Sequence, residues 1–251
     1  MKKNIKKDLS INIIEEKKRA GKFSSQFALK KGFNVFMGRY RIRTILDNCK
    51  KRGTLLDLGC SYGRIAKALS FDFKSIVAVD GSDALINQAK KENTVRNISY
   101  HVSLIEDLEI KSKFDVVLLS FILEHVAEPQ KILKKATQFL KSKGVLFIMV
   151  PNAESLHRRV GKAMGIIKKL DELTITDINH GHRRVYTLKT LEKEIGSVGL
   201  NINKKGTFFI KPFSNKQMEK FDPKICDAFY EVGKDLQGLG SMLFVLASRK
   251  R

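Results

Sequence analysis

Cysteine is scarce in this chain: Cys49, Cys60 and Cys226 are the three in 251 residues, with no CxxC spacing and no disulfide framework. That usage excludes a disulfide-stapled secreted scaffold and fits a reducing cytoplasm. Long apolar runs are missing too. The longest, residues 114–123, is far below the ~20 residues that a membrane helix requires. The opening MKKNIKKDLSINIIEEKKRA begins with positive charge, but it holds no long apolar segment and no small-residue cleavage site, so it is not a signal peptide. There are no internal repeats and no low-complexity tracts. A Gly-Lys-Ser/Thr phosphate loop is absent, as is the Gly-x-Gly-x-x-Gly turn of nicotinamide dehydrogenases. Acidic side chains are in short supply, 26 Asp and Glu against 48 Lys and Arg, which leaves a formal net charge of +22. Such an excess points to nucleic acid, an acidic membrane surface or a small anionic substrate, although lysines spread throughout the chain account for part of it.

What is present suits one full α/β domain with insertions. Hydrophobic residues make up 43% of the chain, enough to fill a core. Residues 1–20 read as a basic amphipathic helix or arm with Ile11, Ile13 and Ile14 as its apolar cluster. Residues 24–50 have helical spacing, with Phe27, Val35, Phe36, Tyr40, Ile42, Ile45 and Leu46 as buried positions. Residues 1–50 thus form a helical leader or cap to a domain over 51–251. In that domain strands are expected over 54–58, 75–79, 98–103, 114–119 and 145–150. Helices are expected over 64–70, 83–92 and 129–141, the last with Pro129 in its first turn and Gly144 as its break. The alternation predicts a parallel, doubly wound sheet. After Pro151 the rhythm fails, and residues 152–186 are too long for a simple connection. A helix over 187–198 stopped by Gly199, a strand near 201–210, a helical insertion near 215–237 and a last strand near 242–247 complete the chain.

The most informative stretch is Leu55-Leu56-Asp57-Leu58-Gly59-Cys60-Ser61-Tyr62-Gly63, followed by the helix-patterned RIAKAL. A strand ending at an acid, a small-residue loop and a helix start form the place where an open α/β sheet binds an adenosyl ligand. Glycine lets the main chain approach a ligand and take positive φ, and a helix N-terminus adds N–H groups for an anionic end. The next strand ends in Asp80, roughly 20 residues beyond the loop, where dinucleotide-type sites place the acid that accepts from the ribose hydroxyls.

With SLIEDL, FDVVLLSFILEHV and GVLFIMVPN following in order, the chain resembles the class I S-adenosylmethionine-dependent methyltransferases over most of residues 50–200. Ser61 replaces the middle glycine of the first motif. The resemblance implies a Rossmann-like seven-stranded sheet of order 3-2-1-4-5-7-6 with the seventh strand antiparallel, and S-adenosylmethionine as cofactor. It places Asp57 at the cofactor's α-ammonium, Gly59, Cys60, Ser61 and Gly63 around its carboxylate, and Asp80 with Gly81 at the ribose. Leu104 stands at the commonest adenine-reading acid position, so Ile105 and Glu106 are the adenine-edge candidates. Ser120 falls beneath the sulfonium. Glu124-His125 opens the next helix, either as helix and loop anchors or with His125 as general base. Phe121 stands where some O-methyltransferases have an acid that completes a metal site, so no metal is expected.

The cluster His180-Gly181-His182-Arg183-Arg184-Val185-Tyr186 should fold over the active-site mouth. Its arginines pair bidentately with phosphate or carboxylate, which makes His180, Arg183 and Arg184 substrate-anchoring candidates, unless the loop is structural. Tyr40 of the leader is a further substrate-side candidate, and His125, His182 or Tyr186 would take the acceptor's proton. The expectation is methyl transfer to N or O of a small anionic, phosphorylated metabolite, such as a phosphoethanolamine-like aminoalcohol phosphate. PNAESLHRRVG and GHRRVYTLKTLEKE look like methyltransferases encoded among bacterial surface-polysaccharide genes, so a sugar precursor is also considered. RNA methylation is one alternative. Against it, Ser120-Phe121 stands where an Asn/Asp-Pro-Pro-Tyr loop would be, no catalytic Pro-Cys context exists, and no separate nucleic-acid module is visible. A catalytically silent binding subunit is the other. Oligomeric state is left open.

Overall fold

Leu55 and Leu56 point to opposite faces of one strand and meet different hydrophobic cores. That strand, β1 (Thr54–Leu58), lies near the centre of a seven-stranded sheet of order β3-β2-β1-β4-β5-β7-β6. The sheet belongs to a computed structural model that describes residues 33–250. Residues 1–32 and Arg251, and with them the expected basic arm and Phe27, lie outside the described residues, as does the side chain of Val35.

β2 (Ser75–Asp80), β3 (Ile98–Val102), β4 (Phe114–Ser120) and β5 (Leu140–Pro151) run parallel to β1. β7 (Met242–Arg249) is antiparallel both to β5 and to β6 (Leu200–Phe208). The expected order and the single reversed strand are therefore observed. Central strands such as β4 are apolar along nearly their whole length because helices cover both faces. On one face lie α1 (Phe33–Asn48), α2 (Arg64–Leu69) and α9 (Pro223–Asp235). On the other lie α4 (Pro129–Gln138) and α7 (Leu188–Ser197), which bury Ile132, Leu133, Leu191 and Ile195. α3 (Asp83–Glu92) has the expected bounds, with Ser82 accepting from the Leu85 N–H as its cap.

Three local expectations change. Gly144 does not break a helix: α4 stops at Gln138, and residues 140–144 already belong to β5. A Cβ on Gly144 would sit 2.7 Å from the Phe114 carbonyl oxygen, and the β4–β5 register shifts there, so this glycine serves a close backbone approach at an irregularity. Glu124 and His125 lie in a turn (His125 N–H to Ile122 O, 2.9 Å) rather than in a helix, which starts only at Pro129. The insertion near 215–237 is two helices, α8 (Asn215–Met218) and α9, because Asp222 caps and Pro223 initiates a new one. Residues 152–186 contribute α5 (Leu156–Ala163) and α6 (Ile175–Asn179).

Candidate active site

The order reverses between β1 and β4, the switch point at which open α/β sheets bind ligands beyond their carboxyl ends. Here a cavity of about 1620 Å³ opens. Gly59 (φ 78°) and Gly63 (φ 74°) turn the chain between β1 and α2. A Cβ on Gly59 would collide with Ile122, and one on Gly63 would lie 2.6 Å from the Tyr100 ring, so both positions need glycine for conformation and for space. Ser61 takes φ 53° although it is not glycine. The N–H groups of Gly59 and Cys60 both donate to Val79 O, and that of Gly63 donates to Cys60 O. The first two amides tie the loop to β2, and the third closes the turn before α2. Cys60 is buried beside Asp57 and Asp80, which together with desolvation push its thiol far up, so it packs as an inert small side chain.

Asp57 is 2% exposed, and its Oδ2 has no hydrogen-bond partner among the described residues. Desolvation, helped by Asp80, pushes its pKa to about 7. A buried carboxylate with an orphaned oxygen is complementary to a cation, and the α-ammonium of S-adenosylmethionine is such a group. Asp80 accepts from the N–H of Ser61 at 2.9 Å and of Ser82 at 3.0 Å, so it braces the loop from the β2 end. Each of its oxygens retains a lone pair for a ribose hydroxyl. Gly81, Ile105, Glu106 and Ser120 all line the same cavity. The residues present thus fit the cofactor the resemblance implies.

On the acceptor side, a set of contacts joins the β4–α4 turn to the insertion. The Arg183 N–H donates to Glu124 O at 2.7 Å. His182 lies 4.9 Å from His125, ring centre to ring centre, at 76°. Asp177 Oδ1 meets His182 Nδ1 at 3.1 Å, and Asp177 Oδ2 pairs with Arg158 at 3.1 Å. Asp177 also forms the capping box of α6 with Thr174. Those hydrogen bonds outweigh burial and hold its carboxyl well below the usual range. Glu124 is fully buried, both its carboxylate oxygens lack hydrogen bonds among the described residues, and burial pushes its pKa to about 7 against the pull of His182 and Arg41. Arg41, from α1, stacks 4.0 Å over the Phe121 ring. One carboxylate oxygen of Glu124 and one ring nitrogen each of His125 and His182 lie within 4.8 Å of one another. A carboxylate and two imidazoles are a donor set for a divalent cation. No metal site is expected from Phe121; the three side chains nonetheless lie close enough to share one ion, with His182 supplied by the insertion.

Four expected site residues lie elsewhere. The Tyr186 hydroxyl donates to Glu194 at 2.8 Å within the far-face core, and burial with Glu194 pushes its pKa far up, so it is no proton acceptor for the cavity. Arg184 donates to the carbonyls of Leu123 (2.7 Å), Val126 (2.6 Å) and Ala127 (3.2 Å), and Arg183 Nε to that of His125 (3.0 Å). Both arginines brace the turn that carries Glu124 and His125, and neither lines the cavity. Arg184 spends three of its five donors on these carbonyls, which leaves two for a phosphate. Tyr40 donates to Asp227 at 3.0 Å and packs on Phe36, Phe209 and Tyr230, which makes it the joint between α1 and α9. His180 does line the cavity, its ring 6.0 Å from that of His182, and burial lowers its pKa.

Comparison with known proteins identifies the family. Residues 36–205, well over half of the chain, match the model of a methyltransferase domain. The chain belongs to the methyltransferase domain family. A ubiquinone biosynthesis O-methyltransferase of Pelagibacter ubique is 34% identical over 131 residues, covering 48% of this chain and 54% of that protein. One of Nitrobacter winogradskyi is 26% identical over 173 residues, covering 67% and 64%. The chain spans about half the length of the curated relatives it matches. Among solved structures, an S-adenosylmethionine-dependent methyltransferase from Mesorhizobium loti superposes with a TM-score of 0.60 at 18% identity, covering 83% of this chain and 96% of that one. Magnesium protoporphyrin IX methyltransferase from Synechocystis, solved with bound S-adenosylhomocysteine, gives 0.57 at 13% identity, covering 87% and 84%. These last two likenesses speak for the fold. No helix among the described residues is long and apolar enough to cross a membrane.

Sequence reasoning missed Asp177, Arg41, His157, Arg158 and Lys211, all of which line the cavity of this methyltransferase domain. A local signal existed for one of them: Thr174-x-x-Asp177 is a readable capping box. That Asp177 also reaches His182 was not readable, because the contact depends on how α6 is laid against the turn.

Proposed function

We propose that this methyltransferase transfers the methyl group of S-adenosylmethionine to a hydroxyl oxygen of a small acceptor, with His182 receiving the proton. The observation that carries this reading is the Asp177–His182 pair on the cavity wall. A carboxylate on Nδ1 selects the tautomer whose Nε2 accepts a proton and stabilises the imidazolium that results. Asp57 and Asp80 would hold the cofactor at its ammonium and ribose, with Gly59, Cys60, Ser61, Gly63, Gly81, Ile105, Glu106 and Ser120 around it. When bound, the cofactor supplies an electrophilic methyl on a sulfonium, and the protein's task is alignment of the acceptor oxygen and proton removal. The curated relatives are named O-methyltransferases, which favours oxygen over nitrogen. Met37, Ile42, Ile167 and Met242 give the cavity apolar walls, which suit a small acceptor better than the phosphate backbone of RNA. A phosphorylated or polysaccharide-precursor acceptor is set aside, since neither Arg183 nor Arg184 lines the cavity and the relatives' names carry no such substrate. Three buried free thiols accord with a reducing cytoplasm as its place of action. The test is S-adenosylhomocysteine release over a panel of hydroxylated acceptors: His182→Ala should lose turnover while still binding S-adenosylhomocysteine, and full turnover would refute the assignment.

A second reading rests on the Glu124, His125 and His182 cluster. A divalent cation there would lower the pKa of the acceptor hydroxyl and relieve His182 of the proton. Activity that disappears on chelation and returns with added metal would favour it.

A further inference from the structure

Lys211 follows β6 and lines the acceptor side of the cavity with His157 and Arg158. Its Nζ donates to Asn215 Oδ1 at 2.9 Å, which uses one of three ammonium donors. Among the described residues no carboxylate pairs with it. Burial pushes its pKa down to about 8, against the pull of Asp177 and with the push of Arg158. The Nδ1 of His157 is likewise buried with no hydrogen-bond partner among the described residues. Burial, with Lys211 and Arg158 nearby, lowers its pKa to about 3, so the ring is neutral and able to donate one N–H.

Arg158 differs from these two. Its Nε donates to Leu170 O at 2.7 Å, Nη2 donates to Glu172 O and Nη1 pairs with Asp177. Two cations and one carboxylate therefore share this wall, which is net positive, and Asp177 makes its ion-pair contact with Arg158 rather than with Lys211. Asp177 faces both Arg158 and His182, so the charged wall and the proton-accepting imidazole adjoin.

We propose that Lys211 and His157 form the seat for one carboxylate of the methyl acceptor, whose class is thus a hydroxylated carboxylic acid. This rests on the reading of the cavity as the site of methyl transfer to a small hydroxyl compound. A carboxylate brings one negative charge to a wall with one net positive charge, and two oxygens to an ammonium and an imidazole N–H. A phosphate monoester carries about −1.5 to −2 and would meet Asp177 with its excess charge.

The experiment is titration calorimetry with benzoate, benzamide and phenyl phosphate on the full chain saturated with S-adenosylhomocysteine. Benzoate should bind about tenfold or more tighter than benzamide, the scale of a charge-assisted contact, and tighter than phenyl phosphate. Lys211→Met should abolish the benzoate preference and Lys211→Arg should retain most of it, with S-adenosylhomocysteine affinity and melting temperature near wild type in both. Benzoate that binds no tighter than benzamide, or a preference that survives Lys211→Met, overturns the proposal. Phenyl phosphate binding tightest overturns the carboxylate assignment. If the wild-type chain fails to bind S-adenosylhomocysteine at all, the methyl-transfer reading itself falls, which separates the two failures.

Discussion

Asp177 Oδ1 lies 3.1 Å from His182 Nδ1 while Oδ2 of the same carboxylate lies 3.1 Å from Arg158. One residue thus orients the proposed base and anchors the segment that carries it. Asp177→Asn should keep the fold of the sheet but lower kcat by about 10²-fold or more and shift the pH–rate profile, since the imidazolium loses its counter-charge. A purely structural role would lower the melting temperature and leave the pH profile of the remaining activity unmoved.

Asp57, as the proposed ammonium ligand, should couple cofactor binding to pH. Its pKa is raised from the ordinary 3.8 to about 7 in the folded chain, so between those values the folded state holds more protons than the unfolded state. Its contribution to stability therefore falls as pH rises from about 4 to about 7. The cofactor's ammonium selects the ionised form, so S-adenosylhomocysteine affinity should increase through pH 7 and level off above it. Calorimetry across pH 6–8 checks this. Asp57→Asn should bind weakly and without that pH dependence.

The loop held by Asp80 predicts opposite outcomes for two neighbouring changes. Asp80→Ala removes the acceptor of the Ser61 and Ser82 N–H groups as well as the proposed ribose ligand, and should weaken cofactor binding by about 10²-fold or more. Ser61→Gly relieves a positive φ on a residue with a Cβ, and should raise stability by about 1 kcal/mol with cofactor affinity retained. Thermal unfolding with and without S-adenosylhomocysteine reads both.

Arg184→Met distinguishes a brace from a substrate anchor. Loss of its bonds to Leu123, Val126 and Ala127 should cost about 2 kcal/mol or more. It should also lower kcat with little change in acceptor KM, because the turn carrying Glu124 and His125 loosens. A large rise in KM at unchanged melting temperature would restore the anchoring role.

The loop proposed as the donor site was legible in its local structure. Asp57, Gly59, Ser61, Gly63 and Asp80 lie at two strand ends, where buried apolar runs, glycine conformation and the period of the sheet are local properties of the chain. Gly144 misled because a glycine after a helical pattern reads as a stop, and the Phe114 carbonyl that it accommodates lies on another strand. HGHRRVY was rightly singled out as dense in chemistry, yet its members divide by direction. His180 and His182 turn to the cavity, Arg184 turns to the carbonyls of the preceding turn, and Tyr186 turns into the far core.

By itself the sequence determined the sheet, the order of its motifs and the strand-end loop proposed to hold the methyl donor, because each depends on contiguous patterns of burial and turn. The tertiary structure alone decided the acceptor side, where Arg41, Glu124, His157, Asp177, His182 and Lys211 come from separate segments. Which of them are paired or buried follows from desolvation and short-range contact, and neither exists until those segments pack together.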